Sequence, residues 1–250
     1  MQNKSIYEEI YDFCRVRNLG NFYSNRKGEP SPRVRFLMEL LERYEIDYEL
    51  DEFPTDFGVG HNLVLPGGEK MLVAHHDIVN PNIDNANDNS ASVINAIALK
   101  LLRPEVSVVL LDGEEVGGKG SRRLAERIIA GDFGKIAWVL NLELTGRGGD
   151  RFFIGDYPGK LSDLIVEKFG CPICSTPFND SVILRANGID SCVINPLPIL
   201  TNGESRVKWG GEYLDWSLLY NCHSDRDSID TIRVEDMQKF VEGVLLEIFA

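Results

Sequence analysis

The chain has 250 residues, of which 43% are hydrophobic and 26% are charged, an ordinary balance for a globular protein with a large core. Its net charge of −13 argues against nucleic acid or an anionic membrane as the main partner. The same acidic balance suits a cationic ligand, such as a metal ion or a free amino terminus.

Apolar periodicity alternates between helical and strand character along the chain. Ser31 and Pro32 mark one helix start, because they suit the N-cap and the first helical position. In chain order, the predicted elements are helices at residues 6–16 and 34–44, strands at 63–65 and 71–74, a helix at 90–102, a strand at 106–111, a helix at 121–130, strands at 136–144 and 152–154, a helix at 161–169, a strand at 191–194 and a helix at 234–249. This alternation predicts an α/β fold. We expect one domain over residues 1–250, with three layers, a mostly parallel central sheet and helices on both faces.

The sequence shows no targeting signal and no membrane-spanning segment. The first residues are polar and lack the apolar core of a signal peptide. No stretch approaches the ~20 apolar residues that are needed to span a bilayer. The five cysteines are irregularly spaced, which fits a reducing compartment better than a disulfide framework. We therefore expect a cytoplasmic protein that binds neither membrane nor nucleic acid.

Histidines and carboxylates follow the ends of several predicted elements. These groups are His75-His76-Asp77, Asp88-Asn89, Glu114-Glu115, Glu143 and His223. Because ligands bind at the carboxyl ends of strands in open α/β sheets, we expect these groups to converge. Imidazole and carboxylate are ligands that Zn²⁺ accepts, and one extra carboxylate beside a ligand supplies a base. The combination therefore indicates a zinc site with a neighbouring general base.

In combination, these motifs resemble the single-domain dizinc aminopeptidases and their relatives, which include the glutaminyl cyclases. The matching motifs are His75-His76-Asp77 after a strand, Asp88-Asn89 opening a helix, Glu114-Glu115 before a turn ending Gly120-Ser121, the loop from Phe178 to Ile189, and His223 followed by Asp227-Ser228-Ile229-Asp230. The resemblance covers residues 75–230. It implies a dinuclear zinc hydrolase that cleaves peptide-type amide bonds in a peptide or aminoacyl substrate.

The resemblance also implies a set of metal ligands for two Zn²⁺ ions per chain. Asp88 would bridge the two ions, His75 and Glu143 would complete one position, and Glu115 and His223 would complete the other. The family more often has Asp at the position of Glu143, although related deacylases and carboxypeptidases accept either acid. Because Glu is one methylene longer, the metal would sit slightly further from the strand.

Four further residues receive roles from the same resemblance. Asp77 would accept a hydrogen bond from the His75 ring and fix its tautomer, as carboxylates behind metal ligands do. Glu114 would be the general base that takes a proton from the attacking water. Asp180 and Ser181 lie in the loop that resembles the family's substrate-side loop, and we expect them to bind substrate.

Two other motifs favour no separate activity. Residues 113–120 distantly resemble a phosphate-binding loop, but no Ser or Thr follows the Lys and two carboxylates would repel phosphate. Cys171 and Cys174 are spaced like a redox pair, yet they follow a predicted helix, whereas a thioredoxin-type pair follows a strand. We therefore interpret these two cysteines as packed thiols. A Gly-x-Ser-x-Gly elbow is absent, which argues against a serine hydrolase.

Three functions remain open on this sequence. The first is an aminopeptidase, which the short spacing between Glu143 and His223 favours because it leaves little room for the lid domain of two-domain carboxypeptidases and deacylases. The second is deacylase, carboxypeptidase or glutaminyl cyclase activity on the same scaffold, of which a cyclase is expected to hold one zinc. The third is a non-catalytic binding protein, which we rank last because every ligand position holds a competent residue.

Overall fold

The computed structural model describes residues 5–17, 28–200 and 207–250. Within these ranges eight strands form one mixed sheet. They are β1 (Glu49–Thr55), β2 (Gly58–Leu65), β3 (Lys70–His75), β4 (Ser107–Leu111), β5 (Trp138–Leu142), β6 (Phe152–Gly155), β7 (Ile173–Cys174) and β8 (Ser191–Pro196). Their order is β1-β2-β4-β3-β5-β8-β6-β7. A separate two-stranded hairpin pairs β9 (Lys208–Trp209) with β10 (Glu212–Tyr213).

The centre of the large sheet is parallel, and an antiparallel pair adjoins it on each side. Strands β4, β3, β5 and β8 pair in parallel, whereas β2 joins β4 and β6 joins β8 in antiparallel fashion. The predicted α/β fold with a mostly parallel sheet is confirmed. The strand β1 was not predicted; it pairs with β2 as an antiparallel hairpin at one edge of the sheet.

The described helices fall largely where the sequence predicts them. They are α1 (Ile10–Phe13), α2 (Pro32–Arg43), α3 (Ala91–Leu102), α4 (Lys119–Ala130), α5 (Lys160–Phe169), α6 (Asp180–Ala186), α7 (Val234–Phe240) and α8 (Leu246–Ile248). Ser31 caps α2, since its hydroxyl accepts a hydrogen bond of 3.2 Å from the Val34 N–H. The first predicted helix is shorter than expected, because a 3-10 turn at Ile6–Glu9 precedes α1. A π turn at Val241–Leu245 joins α7 to α8, so the last predicted helix is interrupted.

Alternate side chains of the central strands enter two cores on opposite faces of the sheet. On β3, Leu72 and Ala74 join the larger core, together with helices α2, α3 and α5 and the C-terminal helices. Met71 and Val73 join the smaller core, which α4 and α6 cover. The three predicted layers are therefore present, and β3 is buried on both faces as a central parallel strand should be.

A glycine turn returns the chain from β4 into α4 beside the sheet edge. Gly117 and Gly118 both have positive φ, at 94° and 69°, a region that favours glycine. A Cβ atom on Gly118 would lie only 2.8 Å from the Ile183 side chain. The turn therefore requires glycine, and it keeps Glu114 and Glu115 at the end of β4.

Candidate metal centre

The side chains singled out in the sequence converge at the carboxyl edge of the parallel strands. His75 is the last residue of β3, Glu115 follows β4, and Glu143 follows β5. Asp88 lies in the turn at Ala86–Ser90 that opens α3, and His223 follows a 3-10 turn at Trp216–Asn221. The structure thus brings together residues that are separated by almost 150 positions in the chain.

The two carboxylate oxygens of Asp88 face two different groups of side chains. His75 Nε2 lies 3.3 Å from Asp88 Oδ1 and 3.5 Å from Glu143 Oε2. His223 Nε2 lies 3.2 Å from Asp88 Oδ2 and 3.0 Å from Glu115 Oε2. Asp88 therefore stands between a His75–Glu143 pair and a Glu115–His223 pair.

This arrangement fits zinc on three grounds. Zinc bonds of 2.0–2.1 Å in a tetrahedral site place neighbouring ligand atoms about 3.3 Å apart, close to the separations above. His75, Asp88 and Glu115 each offer a ligand atom within 4.8 Å of the others. Glu143 and Asp88 are both buried, and two buried carboxylates beside one imidazole favour a further cation between them. The residues present therefore suit a zinc ion.

The carboxylates of the site perturb the pKa values of both histidines. Burial acts to lower the pKa of His75, but the carboxylate of Glu143 and those of Asp77 and Asp88 outweigh burial and raise it well above its usual range. Hydrogen bonds to Asp88 and Glu115 raise the pKa of His223 to about 10. Both imidazoles thus hold protons that a metal ion would displace.

Asp77 joins two of the segments that carry these side chains. Its Oδ1 lies 3.3 Å from His75 Nδ1. The same carboxylate accepts hydrogen bonds of 3.1 Å from the backbone N–H groups of Glu114 and Glu115. Asp77 therefore contacts the His75 ring on the side away from Asp88 and also fixes the turn after β4.

Glu114 lies beside the candidate metal ligands but makes a different set of contacts. Its side chain lines the same cavity as His75, Asp88 and Glu115. Burial and the nearby carboxylates of Glu143 and Asp180 raise the pKa of Glu114 to about 10, although the charge of His75 acts to lower it. A cation in the site would favour the ionised, basic form of Glu114.

Asp180 and Ser181 do not line the cavity in this structure. Both are fully buried, because the Asn179 side chain caps α6 by accepting a hydrogen bond of 3.0 Å from the Ser181 N–H, and the first turn of α6 lies inside the protein. Burial raises the pKa of Asp180 to about 7. Four preceding residues line the cavity instead: Thr176, Pro177, Phe178 and Asn179. Residues 176–179, and not Asp180 and Ser181, are therefore the part of this loop that faces the cavity.

Two residues next to the candidate ligands received no positioning role from the sequence. The carboxylate of Asp227 accepts hydrogen bonds from the N–H groups of Asn87 (2.7 Å) and Asp88 (3.1 Å). Asn89 contacts the backbone around Glu143. Both residues fall within the quoted motifs, but their partners lie far away in the sequence, so the motifs alone do not reveal these contacts.

A buried arginine lies beneath the site. Arg33 Nε donates to the His76 carbonyl (2.8 Å), and Nη2 donates to the Ser90 hydroxyl (3.0 Å). Nη1 donates to the carbonyls of Phe13 and Val16 at 3.4 and 3.3 Å. The guanidinium carbon also lies 3.9 Å from the centre of the Phe13 ring. Arg33 therefore ties the N-terminal helix to the segments that follow His75 and Asp88.

The cavity over the site has a volume of about 400 Å³. Its apolar wall is formed by Leu144, Phe153, Val193 and Leu219. Among the described residues that line it, no Lys or Arg is present. The cavity thus combines an apolar wall with an acidic floor.

Among the described residues, no helix is both long and apolar enough to cross a bilayer.

Comparison with known proteins identifies the class to which this fold and site belong. Residues 65–247 match peptidase family M28. Because this match spans more than half of the chain, the chain belongs to peptidase family M28, and it is a peptidase-type hydrolase by class. The resemblance to dizinc aminopeptidases and glutaminyl cyclases is thereby confirmed. No curated protein sequence gives a significant match.

Solved structures with the same fold include both kinds of enzyme. Legionella pneumophila LapA aminopeptidase is 15% identical, with a TM-score of 0.66 over 98% of this chain and 70% of that chain. Porphyromonas gingivalis glutaminyl cyclase is 18% identical, with a TM-score of 0.69 over 98% of this chain and 96% of that chain. BSAP, a zinc aminopeptidase from Bacillus subtilis, is 17% identical, with a TM-score of 0.55 over 76% and 50%. At these identities the similarities show the fold.

Proposed function

We propose that the protein is a dinuclear zinc aminopeptidase, which releases residues from the amino terminus of peptides. The observation that carries this proposal is the position of Asp88, whose two oxygens face two separate groups of ligand atoms. A carboxylate shared in this way suits two ions. His75 and Glu143 would hold one ion, and Glu115 and His223 would hold the other.

The residues around this centre suit hydrolysis of an amide bond. Zinc bound here would acidify a water molecule and polarise the scissile carbonyl. Glu114 lies beside the ligands without belonging to either pair, so its carboxylate is available to accept the proton of the attacking water. Asp77 orients His75 and holds the backbone of Glu114, which fixes the position of the base relative to the ligands.

The charge of the cavity supports an amino terminus as the group that is recognised. Carboxypeptidases and deacylases of amino acids must bind a substrate carboxylate, for which Lys or Arg is the usual partner. The described cavity lining has no such cation and carries Asp88, Glu114, Glu115 and Glu143. Three of these carboxylates would be neutralised by the zinc ions that they hold, so the support for an amino terminus is that the described lining offers a substrate carboxylate no Lys or Arg partner.

Metal content and substrate preference test the proposal together. We expect two zinc ions per chain by elemental analysis of protein purified without chelator. We also expect hydrolysis of aminoacyl anilides with a free amino group, and none of the matched N-acetylated anilides. A protein that holds two zinc ions but prefers the N-acetylated substrates would overturn the aminopeptidase assignment and favour a deacylase.

A Glu114→Gln substitution tests the general base. We expect kcat to fall by about 10²–10⁴-fold while two zinc ions are retained, because Glu114 is not a ligand in this proposal. Glu115→Ala is the matched control at the adjacent position, and it should lower the zinc content. If Glu114→Gln keeps most of its activity, Glu114 is not the base.

Glutaminyl cyclase activity is the second candidate, and it is favoured by the similarity to the Porphyromonas gingivalis cyclase over nearly all of that chain. One zinc ion per chain, with release of ammonia from a peptide that begins with Gln, would support the cyclase. The same peptide losing free Gln in the presence of two zinc ions would support the aminopeptidase.

A further inference from the structure

Asn89, the residue after Asp88, contacts the chain on both sides of Glu143. Its side-chain Nδ2 donates a hydrogen bond of 2.9 Å to the Leu142 carbonyl. Its Oδ1 accepts a hydrogen bond of 3.2 Å from the Leu144 N–H. Asn89 is buried, so water does not compete for these bonds. One planar amide thus spans the peptide groups that flank Glu143.

The backbone around Glu143 needs such a partner. Leu144 has a φ of 59°, in the left-handed region that residues other than glycine seldom adopt. Such a conformation persists where neighbouring contacts fix it. The Leu144 N–H has its hydrogen bond with Asn89, and the Glu143 carbonyl accepts another of 3.1 Å from Asn195. The chain therefore bends away from the strand immediately after Glu143 under the control of two asparagine side chains.

We propose that Asn89 is a positioning residue, which fixes the distance between Asp88 and Glu143 and thereby sets the zinc affinity of the position that they share with His75. Asp88 is covalently next to Asn89, and Glu143 lies between the two partners of its amide. One side chain thus links the backbone segments that carry these two carboxylates. Asn89 fixes the backbone of Glu143, and Asn141 Nδ2 donates a hydrogen bond of 3.1 Å to its carboxylate. This inference rests on the proposed zinc site.

Asn95 provides a matched control for a purely structural role. It is also buried, and its Nδ2 donates to the Thr145 carbonyl (3.2 Å) and hydroxyl (2.8 Å). Both asparagines therefore bind the same segment with two hydrogen bonds. Only the partners of Asn89 flank Glu143, so a general loosening of the segment would affect the two variants alike.

The experiment measures zinc affinity by competition with a chromophoric chelator in two backgrounds. In the Glu115→Ala background, the metal position formed by His75, Asp88 and Glu143 stays intact. In this background Asn89→Ala should weaken zinc binding by about 10–100-fold. Glu143→Ala leaves the position of Glu115 and His223, and there Asn89→Ala should have a much smaller effect. Asn95→Ala should lower the melting temperature of the zinc-free protein while leaving both affinities unchanged.

Equal losses of affinity in the two backgrounds, or equal losses for Asn89→Ala and Asn95→Ala, would overturn the inference and leave the proposed function intact. Failure of the unsubstituted protein to bind zinc would overturn both. If Asn89→Ala does not fold, Asn89→Ser carries the same comparison, because its short hydroxyl cannot span both backbone groups.

Discussion

Replacement of Arg33 should show that a conservative substitution is worse than an apolar one. Burial lowers the pKa of Arg33 to about 10, and a change of this size disfavours the charged form by about 3 kcal/mol. Hydrogen bonds from a charged donor contribute about 1.5–3 kcal/mol each. Two of the four bonds, to His76 and Ser90, are short enough to count fully.

Substitution of Arg33 by Met and substitution by Lys change the charge and the hydrogen bonds at this position in different ways. Arg33→Met removes the hydrogen bonds, but it also relieves the buried charge, so we expect a net loss of about 1–3 kcal/mol. Arg33→Lys keeps a charge in the interior with a single nitrogen in place of three and a more strongly hydrated head group. We expect Lys to destabilise the protein by about 3 kcal/mol or more, because the cost of the buried charge remains while hydrogen bonds are lost.

Urea unfolding of the zinc-free proteins measures this difference. Arg15→Met is the control, since the Arg15 side chain is 79% exposed, and its effect should stay within about 0.5 kcal/mol. A Lys variant that is as stable as the unsubstituted protein, or more stable than the Met variant, would refute the reasoning. It would mean that the charge of Arg33, and not its fork of donors, is what the site requires.

Two further predictions concern the site itself. Asp77→Asn should weaken zinc binding by about 10–100-fold in a chelator competition, because the amide nitrogen of Asn would face an N–H donor in place of an acceptor. An unchanged affinity would contradict the contact between Asp77 and His75. The zinc-free protein should melt at a lower temperature at pH 8 than at pH 6. Protonation of His223, whose pKa is raised to about 10, stabilises the fold. This stabilisation is complete below the pKa of the unfolded state and is lost as the pH rises towards the pKa of the folded state. Ionisation of Asp227, whose pKa burial raises to about 7, adds to this loss, because its protonated form stabilises the fold and is lost as the pH rises through 7. A melting temperature that is higher at pH 8 than at pH 6 would contradict both.

The central elements of the fold were predictable because their sequence signals are local. The buried strand at Ser107–Leu111 contains a continuous apolar run of Val and Leu, and α2 begins at a Ser-Pro pair whose cap the structure retains. Strand β1 is different, because at Glu49–Thr55 it is an edge strand with charged residues and Pro54, features that read as a loop. Helix α6 has only seven residues, too few for helical periodicity to emerge.

In the candidate site, the ligand residues could be predicted from the sequence to a different extent from the contacts that position them. The convergence of His75, Asp88, Glu115 and Glu143 could be expected because each follows a strand or opens a helix, and their chemistry is visible in the residue types. His223 instead follows a 3-10 turn, and only its motif pointed to it. The contacts that position these residues were not predictable. Asp227 reaches across to residues 87 and 88, and Asn89 reaches across to residues 142 and 144. No periodicity or spacing in the sequence encodes a partner that is fifty or more positions away.

The contact between Asp227 and Asp88 makes the last part of the chain responsible for more than one ligand. The segment that supplies His223 also secures the backbone of the residue at the centre of the site. A nascent chain that has emerged only as far as β8 would carry four of the five candidate ligands but would lack this support. For the proposed zinc centre, metal capture would therefore follow completion of the fold, and a partly synthesised chain would have no competent active site with which to cleave its neighbours.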